Sequence, residues 1–243
     1  VSGLAWRLRI LAEAPSTNDL LAQLAAAGAP EGTALLARVQ TAGRGRAGRG
    51  WDSAEGNLHL SVLLRPSLPI RCAPLFGLAA GLALASVTAA ALPPAVDVRL
   101  KWPNDLLLDG AKAGGILAEA TADPSGAIAQ LILGIGVNLA HAPSLPDRVA
   151  GCFAAFVPAP DPVGFAGTLL ESLGARISEL LAHGARPICD AWLGYGPALG
   201  SEVSVRGNAG LRSGRFRGLA ADGSLLLEQD GVTHVIAAGE VGA

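Results

Sequence analysis

The sequence predicts an α+β protein: a larger domain with a mixed, mainly antiparallel sheet and flanking helices, then a small all-β module. Three observations carry that expectation. Between residues 96 and 138 strand-like segments follow one another through tight turns, and strands joined that way must run antiparallel. Ala- and Leu-rich helical stretches lie before and between those strands, which suits an α+β body better than a doubly wound one. From Gly200 onward the pattern changes to short strands broken by turns at Gly207 to Gly210, Asp222-Gly223 and Asp230-Gly231, the spacing of a small barrel-like module. The 243 residues accommodate both, with an expected division into residues 1–196 and 197–243.

Leu8 to Leu11 is a short strand candidate, after which Pro15-Ser16-Thr17-Asn18-Asp19 opens a helix running to Gly28. Ser16 is placed to cap it, with Asp19 as the acidic partner of a capping box. Thr33 to Gln40 reads as a strand, the Gly/Arg segment 41–51 as a loop, and Leu58 to Val62 as an alternating strand. Cys72 to Val96 carries no charge over a membrane-compatible length, yet it is rich in Ala and Gly and ends in prolines, as expected of a helix packed inside a domain. Val96, Val98 and Leu100 alternate with Asp97, Arg99 and Lys101. Leu106 to Leu108, Asp109-Gly110 and Lys112 to Glu119 form a hairpin pattern, and Asp123 to Gly126 turns into a strand over Ile128 to Asn138. Phe165 to Ala182 is amphipathic and helical, whereas Gly184 to Gly196, with Pro187 inside it, reads as a connector.

Charge and composition narrow the function. The 18 Lys and Arg against 20 Asp and Glu leave a net charge of -2, so there is no global positive field to draw in nucleic acid or an anionic membrane. Phosphate binding, if present, must be local. Half the residues are hydrophobic (51%) and 16% charged, which excludes a disordered chain. Cys72, Cys152 and Cys189 form no CxxC pair and the four histidines no metal-binding spacing, so a reducing, cytoplasmic setting is expected. No signal-peptide succession opens the chain, and no membrane partner is expected.

Gly43-Arg44-Gly45-Arg46-Ala47-Gly48 matches GxGxxG as a bare pattern, but a strand rather than a helix follows it, and no acid lies between Glu55 and Asp97 to hold a ribose. It also imitates the start of a Walker A loop, with Arg49-Gly50 where Lys-Ser/Thr is needed. What remains is a loop carrying Arg44, Arg46 and Arg49 among small residues, suited to bidentate phosphate or carboxylate contacts. Lys101 ends a strand before Trp102-Pro103-Asn104-Asp105, where a lysine can meet a phosphate as a point charge and Asp105 or Asn104 can hold a magnesium-bound water or orient the lysine. Gly114-Gly115 marks a strand that a ligand or another backbone approaches closely.

The ordered set Ser16-Thr17-Asn18, Gln40-Thr41-Ala42 with GRGRAGRGW, Lys101-Trp102-Pro103-Asn104-Asp105, Lys112 to Leu117 and Gly134-Ile135-Gly136-Val137-Asn138 closely resembles the biotin protein ligases, the biotin–[acetyl-CoA-carboxylase] ligases or holocarboxylase synthetases. The resemblance runs from about Leu8 to the C-terminus. It implies a class II synthetase-like catalytic fold with an SH3-like C-terminal barrel. The implied reaction has two steps: biotin and ATP give biotinyl-5'-AMP and pyrophosphate, then the acyl group passes to a lysine of a biotin carboxyl carrier protein. The resemblance assigns biotin contacts to Ser16, Thr17, Asn18, Gln40, Arg44, Gly45, Arg46, Lys101, Gly114 and Gly115. ATP and adenylate contacts fall to Arg44, Arg46, Arg49, Trp51, Lys101 and Asn138, with Arg46 and Lys101 as the catalytic electrostatic pair and Asp105 as a Mg²⁺ contact, through water. Ala47 stands where some members are basic, leaving the loop one cation fewer. Repressor-type members carry a DNA-binding domain before the Ser-Thr-Asn motif; with 15 residues ahead of Ser16, DNA is not expected as a partner. A homodimer through a sheet edge is open. The competing readings are a lipoate or octanoate ligase or transferase on the related fold and, from another class, an Arg/Gly-loop nucleic-acid-binding module.

Overall fold

A computed structural model describes residues 4–144, 149–207 and 210–242. The larger unit is built from β1 (Arg7–Ala14), α1 (Thr17–Ala26), β2 (Thr33–Gln40), β3 (Leu58–Leu64), α2 (Ala73–Ala91), β4 (Val98–Lys101), β5 (Asp105–Leu108), β6 (Ala111–Ala122), β7 (Ile128–Val137), α3 (Pro162–His183) and α4 (Ala185–Leu193). Its seven strands form one sheet in the order β1-β2-β3-β7-β6-β5-β4. β1 and β2 run parallel across the α1 crossover, and the other neighbours are antiparallel, so the sheet is mixed and mainly antiparallel. The β5–β6 hairpin turns on Asp109 and Gly110, both at positive φ (46° and 78°), as a two-residue type I′ connection requires. The Trp102–Pro103 peptide bond is cis.

The two faces of the sheet are covered differently. Because side chains alternate along a strand, Leu58, Leu60, Val62 and Leu64 of β3 enter the main core with Phe76, Leu82 and Leu84 of α2. α3 and α4 pack over α2 in turn. On the opposite face α1 covers only one region, where Leu21 and Ala25 meet Leu35, Leu63 and Ile132. The rest of that face stays open and forms the floor of a cleft. The apolar helix is long enough to span a membrane by length and composition, but 67% of its most apolar window is buried inside the protein.

The segment after Gly184 departs from the sequence expectation: Ala185–Leu193 is a helix, not a connector. Pro187 lies in its first turn, where a missing N–H costs no hydrogen bond, and Ile188, Cys189 and Trp192 are buried. The smaller unit is a five-stranded antiparallel sheet, β11-β10-β9-β8-β12, made of β8 (Glu202–Gly207), β9 (Gly210–Leu219), β10 (Leu225–Gln229), β11 (Val232–Ile236) and β12 (Glu240–Val241). It shares the main core through Phe216, Leu225 and Leu227. The Trp102 indole N–H donates to the Gly223 carbonyl across the junction (3.1 Å). Gly223 adopts φ +84°, and a Cβ there would press on Leu78, so both conformation and contact call for glycine.

Candidate active site

The cleft lies at the end of the sheet where β2, β3, β7 and β6 meet the start of α1. Ser16 is the helix cap, its hydroxyl accepting from the Asp19 N–H at 3.3 Å. The reciprocal half of the expected capping box is not made, because the Asp19 carboxylate accepts from Arg44 instead (2.6 Å). Thr17 donates to Gln40 Oε1 through both its backbone N–H (2.8 Å) and its hydroxyl (3.0 Å), and Gln40 Nε2 donates to Ser53 Oγ (2.9 Å). The buried Ser61 hydroxyl of β3 lies 2.7 Å from Thr17 Oγ1 and 2.6 Å from Asn18 Oδ1, its one proton serving one acceptor at a time. Asn18 Nδ2 donates to Glu119 Oε2 at 2.8 Å. The start of α1, the end of β2, and strands β3 and β6 are thus tied into one polar wall.

Glycines make the floor. A Cβ on Gly134 would collide with the Asn18 amide, and one on Gly136 would lie 2.5 Å from Trp51 Cε2. Gly115 meets the same indole at ordinary contact, 3.4 Å from Cζ3 for an added Cβ. The Trp51 ring therefore rests on a bare stretch of β7 and β6. Among the described residues, four buried side-chain polar atoms lack a hydrogen-bond partner: Trp51 Nε1, His59 Nε2, Asn138 Oδ1 and Thr88 Oγ1. The first three belong to residues that line this cleft. His59 Nδ1 donates to the Ala37 carbonyl (3.2 Å), which leaves Nε2 as a bare acceptor. Burial pushes its pKa below the ordinary histidine value, with the Ala37 bond and the Asp52 charge opposing that shift. Unsatisfied buried polar atoms are rare and costly, and three of these four belong to residues of this one cleft, as expected of a site that receives a polar ligand.

The arginine loop closes the other side. It is folded on itself by Gly45 N–H to Arg49 O (2.7 Å) and Trp51 N–H to Gly43 O (2.9 Å). Arg44 bridges Asp19 and Glu119 (2.6 and 2.8 Å), Arg46 donates to Asn104 Oδ1 (3.0 Å), and Arg49 pairs with Glu240 of the small unit (3.0 Å). Arg46 also reaches the Gly239 carbonyl (3.4 Å). The loop cations are thus held by protein groups, Arg44 by two carboxylates.

Of the expected contacts, Ser16, Thr17, Asn18, Gln40, Arg44, Gly45, Arg46, Arg49, Trp51, Asp105, Gly115 and Asn138 all line the cleft. Lys101 and Gly114 are not among its lining residues. The lysine found there is Lys112, which pairs with Asp105 Oδ1 at 2.5 Å and stands 5.9 Å above the Trp51 ring. Lys112 stands opposite Leu107, just past a register shift between Leu106 and Leu107 in the β5–β6 hairpin. Gly114 instead packs against Leu106 and the Gly136 carbonyl. Asp105, expected as a metal contact, is the ion-pair partner of Lys112, and among the described residues no group of three His, Cys, Asp or Glu is arranged to hold a metal. Sequence reasoning also passed over His59, Ser61 and Glu119.

A cleft with a glycine floor, a hydrogen-bonding wall and a cover of arginines beside a lysine defines an enzyme that holds a small, partly apolar acid against anionic groups. Residues 11–138 match the biotin/lipoate A/B protein ligase family and residues 198–241 the biotin protein ligase C-terminal domain, and the chain belongs to that family. It is 36% identical to a biotin–[acetyl-CoA-carboxylase] ligase of Paracoccus denitrificans, over 96% of this chain and 98% of that protein. Identity to the Mycobacterium tuberculosis ligase of the same name is 39%, over 99% and 90%. The bifunctional ligase/repressor BirA of Bacillus subtilis is 34% identical, over 92% of this chain and 70% of its own length. Among solved structures, the Aquifex aeolicus biotin protein ligase in complex with biotin and ATP superposes with a TM-score of 0.81 at 27% identity, covering 97% of each chain.

Proposed function

We propose that this protein is an ATP-dependent biotin protein ligase acting on a biotin carboxyl carrier protein. The observation that carries the reading is that a single cleft gathers the Ser16-Thr17-Asn18 wall, the arginine loop, Lys112 and the glycine floor. The bicyclic ring of biotin, apolar with a polar ureido edge, suits the Thr17, Gln40 and Ser61 network over the bare strands, a mostly apolar site with few directed polar contacts. In the first step a carboxylate oxygen attacks the α-phosphorus of ATP, the bond to the β-phosphate oxygen breaks, and pyrophosphate leaves. Two anions must approach, so the step depends on Lys112 and Arg46 to offset the charge that gathers between them. Asn104 positions the Arg46 guanidinium. Magnesium supplied with ATP would offset phosphate charge, and Asp105 would be the residue to hold one of its waters.

In the second step a carrier lysine, as the free amine, attacks the acyl carbon. The amide forms, AMP departs, and the amine loses its proton. Until then the arginine loop must keep water from the mixed anhydride. Trp51 and Asn138 serve the nucleotide side, and their unpaired donor and acceptor are the polar groups left for it. The boundary near residue 196 and a cytoplasmic setting belong to the same reading.

Biotin-dependent exchange of pyrophosphate into ATP tests the proposal most directly. Exchange with biotin, and none with lipoate or octanoate, is the expected result. Exchange with lipoate or octanoate but not biotin would place the chain in the lipoate branch of its family instead.

A further inference from the structure

Arg44 differs from the other arginines of its loop in what holds it. Arg46 and Arg49 reach Asn104, the Gly239 carbonyl and Glu240. Arg44 instead sets one guanidinium nitrogen between two carboxylates, Asp19 Oδ1 at 2.6 Å and Glu119 Oε2 at 2.8 Å. Those acids stand on regular elements, Asp19 in the first turn of α1 and Glu119 on β6. Glu119 is itself fixed, because the same Oε2 accepts from Asn18 Nδ2 at 2.8 Å. Asn18 is 4% exposed, its Oδ1 lies 2.6 Å from the Ser61 hydroxyl, and its amide fills the space over Gly134 where no Cβ would fit. On the loop side, the Arg44 backbone bridges to Gly50, and the bonds from Gly45 N–H to Arg49 O and from Trp51 N–H to Gly43 O close the neck around it. Anchoring Arg44 therefore anchors both limbs of the loop.

We propose that Arg44 is the clasp of the arginine loop rather than a ligand contact, and that Asp19 and Glu119 are the positioning residues that seat it. Through the loop, this clasp sets how long the cleft retains its activated intermediate. The charge count favours the assignment. One guanidinium between two carboxylates has no positive charge to spare, so a phosphate would have to displace both acids to reach it. Each pair alone is half-exposed and weak. Together they share one cation and join the loop to a helix and a strand, so losing them frees the loop as a unit. The identity of the intermediate as an acyl-adenylate rests on the biotin ligase reading, whereas the clasp itself does not.

Trypsin, which cuts after arginine, tests the clasp on the full chain without ligand, because cleavage after Arg46 and Arg49 follows the open population of the loop. Arg44→Gln removes the clasp, and Asp19→Asn combined with Glu119→Gln removes its seat at nearly constant side-chain size. Both should raise the initial rate of loop cleavage about tenfold, while cleavage at arginines outside the loop keeps its original rate. The triple variant should be no worse than either, since all three break the same contact. Release of biotinyl-AMP is the second readout and should quicken about tenfold in all three. A phosphate-binding Arg44 would behave oppositely: freeing it from the acids would slow release, whereas Arg44→Gln would speed it. That divergence overturns the proposal, and so does loop cleavage that the variants leave unchanged. Failure of biotin-dependent exchange in the unmodified chain counts against the biotin reading alone, and loop cleavage still decides the clasp.

Discussion

The two faces of the central sheet obey opposite rules. Under α2 the face is continuous and apolar, with Leu58, Leu60, Val62, Leu106 and Leu133 sealed against Phe76 and its neighbours. On the other face α1 buries a small apolar patch, and beyond it Gly134, Gly136 and Gly115 leave room that Asn18 and Trp51 enter. One face is filled by its own side chains. The other is kept bare and lined with polar atoms, three of them unpaired. Stability is therefore concentrated on the α2 face and ligand chemistry on the α1 face, and substitutions on the two should separate cleanly.

The largest effect is expected from Phe76→Ala, which leaves a cavity in the sealed face and should cost about 3–5 kcal/mol of unfolding free energy in a denaturant titration, with exchange activity per folded molecule unchanged. A comparable loss of activity would mean that the faces are coupled. On the open face, Lys112→Gln retains a donor for Asp105 but removes the charge. It should slow adenylate formation by roughly 10²–10³-fold in single turnover, with Lys101→Ala slowing it far less; the reverse ranking would return the role to Lys101. Gly136→Ala pushes a methyl group into the Trp51 indole and should cost about 1–3 kcal/mol, seen as a raised KM for ATP with altered tryptophan fluorescence. Unchanged fluorescence would show that the indole does not rest on this floor.

Arg46→Gly removes charge-assisted bonds from a loop and should speed release of the adenylate roughly tenfold, about 1.5 kcal/mol, without lowering the Tm. The smallest effect concerns pH. Burial holds the His59 pKa in the folded protein below the ordinary 6.5, so acid protonates the unfolded chain first. That part of stability is intact above pH 6.5 and declines as pH falls from there toward the lowered folded value. His59→Gln should flatten the decline in Tm over that window, and an identical slope in the variant would rule out this cause.

Much of the fold could be read in the residues because its signals are local. Thr33 to Gln40 has the expected bounds, the Asp109-Gly110 turn pairs the strands around it, and the uncharged helix is buried as its Ala and Gly content implied. Ala185–Leu193 is not legible as a helix because Pro187 reads as a breaker, whereas its position within the helix decides its effect. In the sequence Lys112 reads only as part of a glycine-rich strand. Lys101 on β4 and Lys112 on β6 are separated by β5, and the register shift between Leu106 and Leu107, which sets Lys112 opposite Leu107, lies in the hairpin that carries Lys112. Similarly, Arg44 reads as a free phosphate ligand until Glu119, 75 residues away, is found 2.8 Å from it.

By itself the sequence determined the element types, the turns, the apolar helix, the glycines that a bare floor requires and the motif order that marks the family. These follow from backbone sterics, side-chain periodicity and residue chemistry, which act over a few residues. Only the tertiary structure decided which lysine lines the cleft, which acids hold the arginine loop and which polar atoms remain unpaired. Each of these depends on cross-strand register or on the approach of distant segments, where a shift of one residue reverses the direction in which a side chain points.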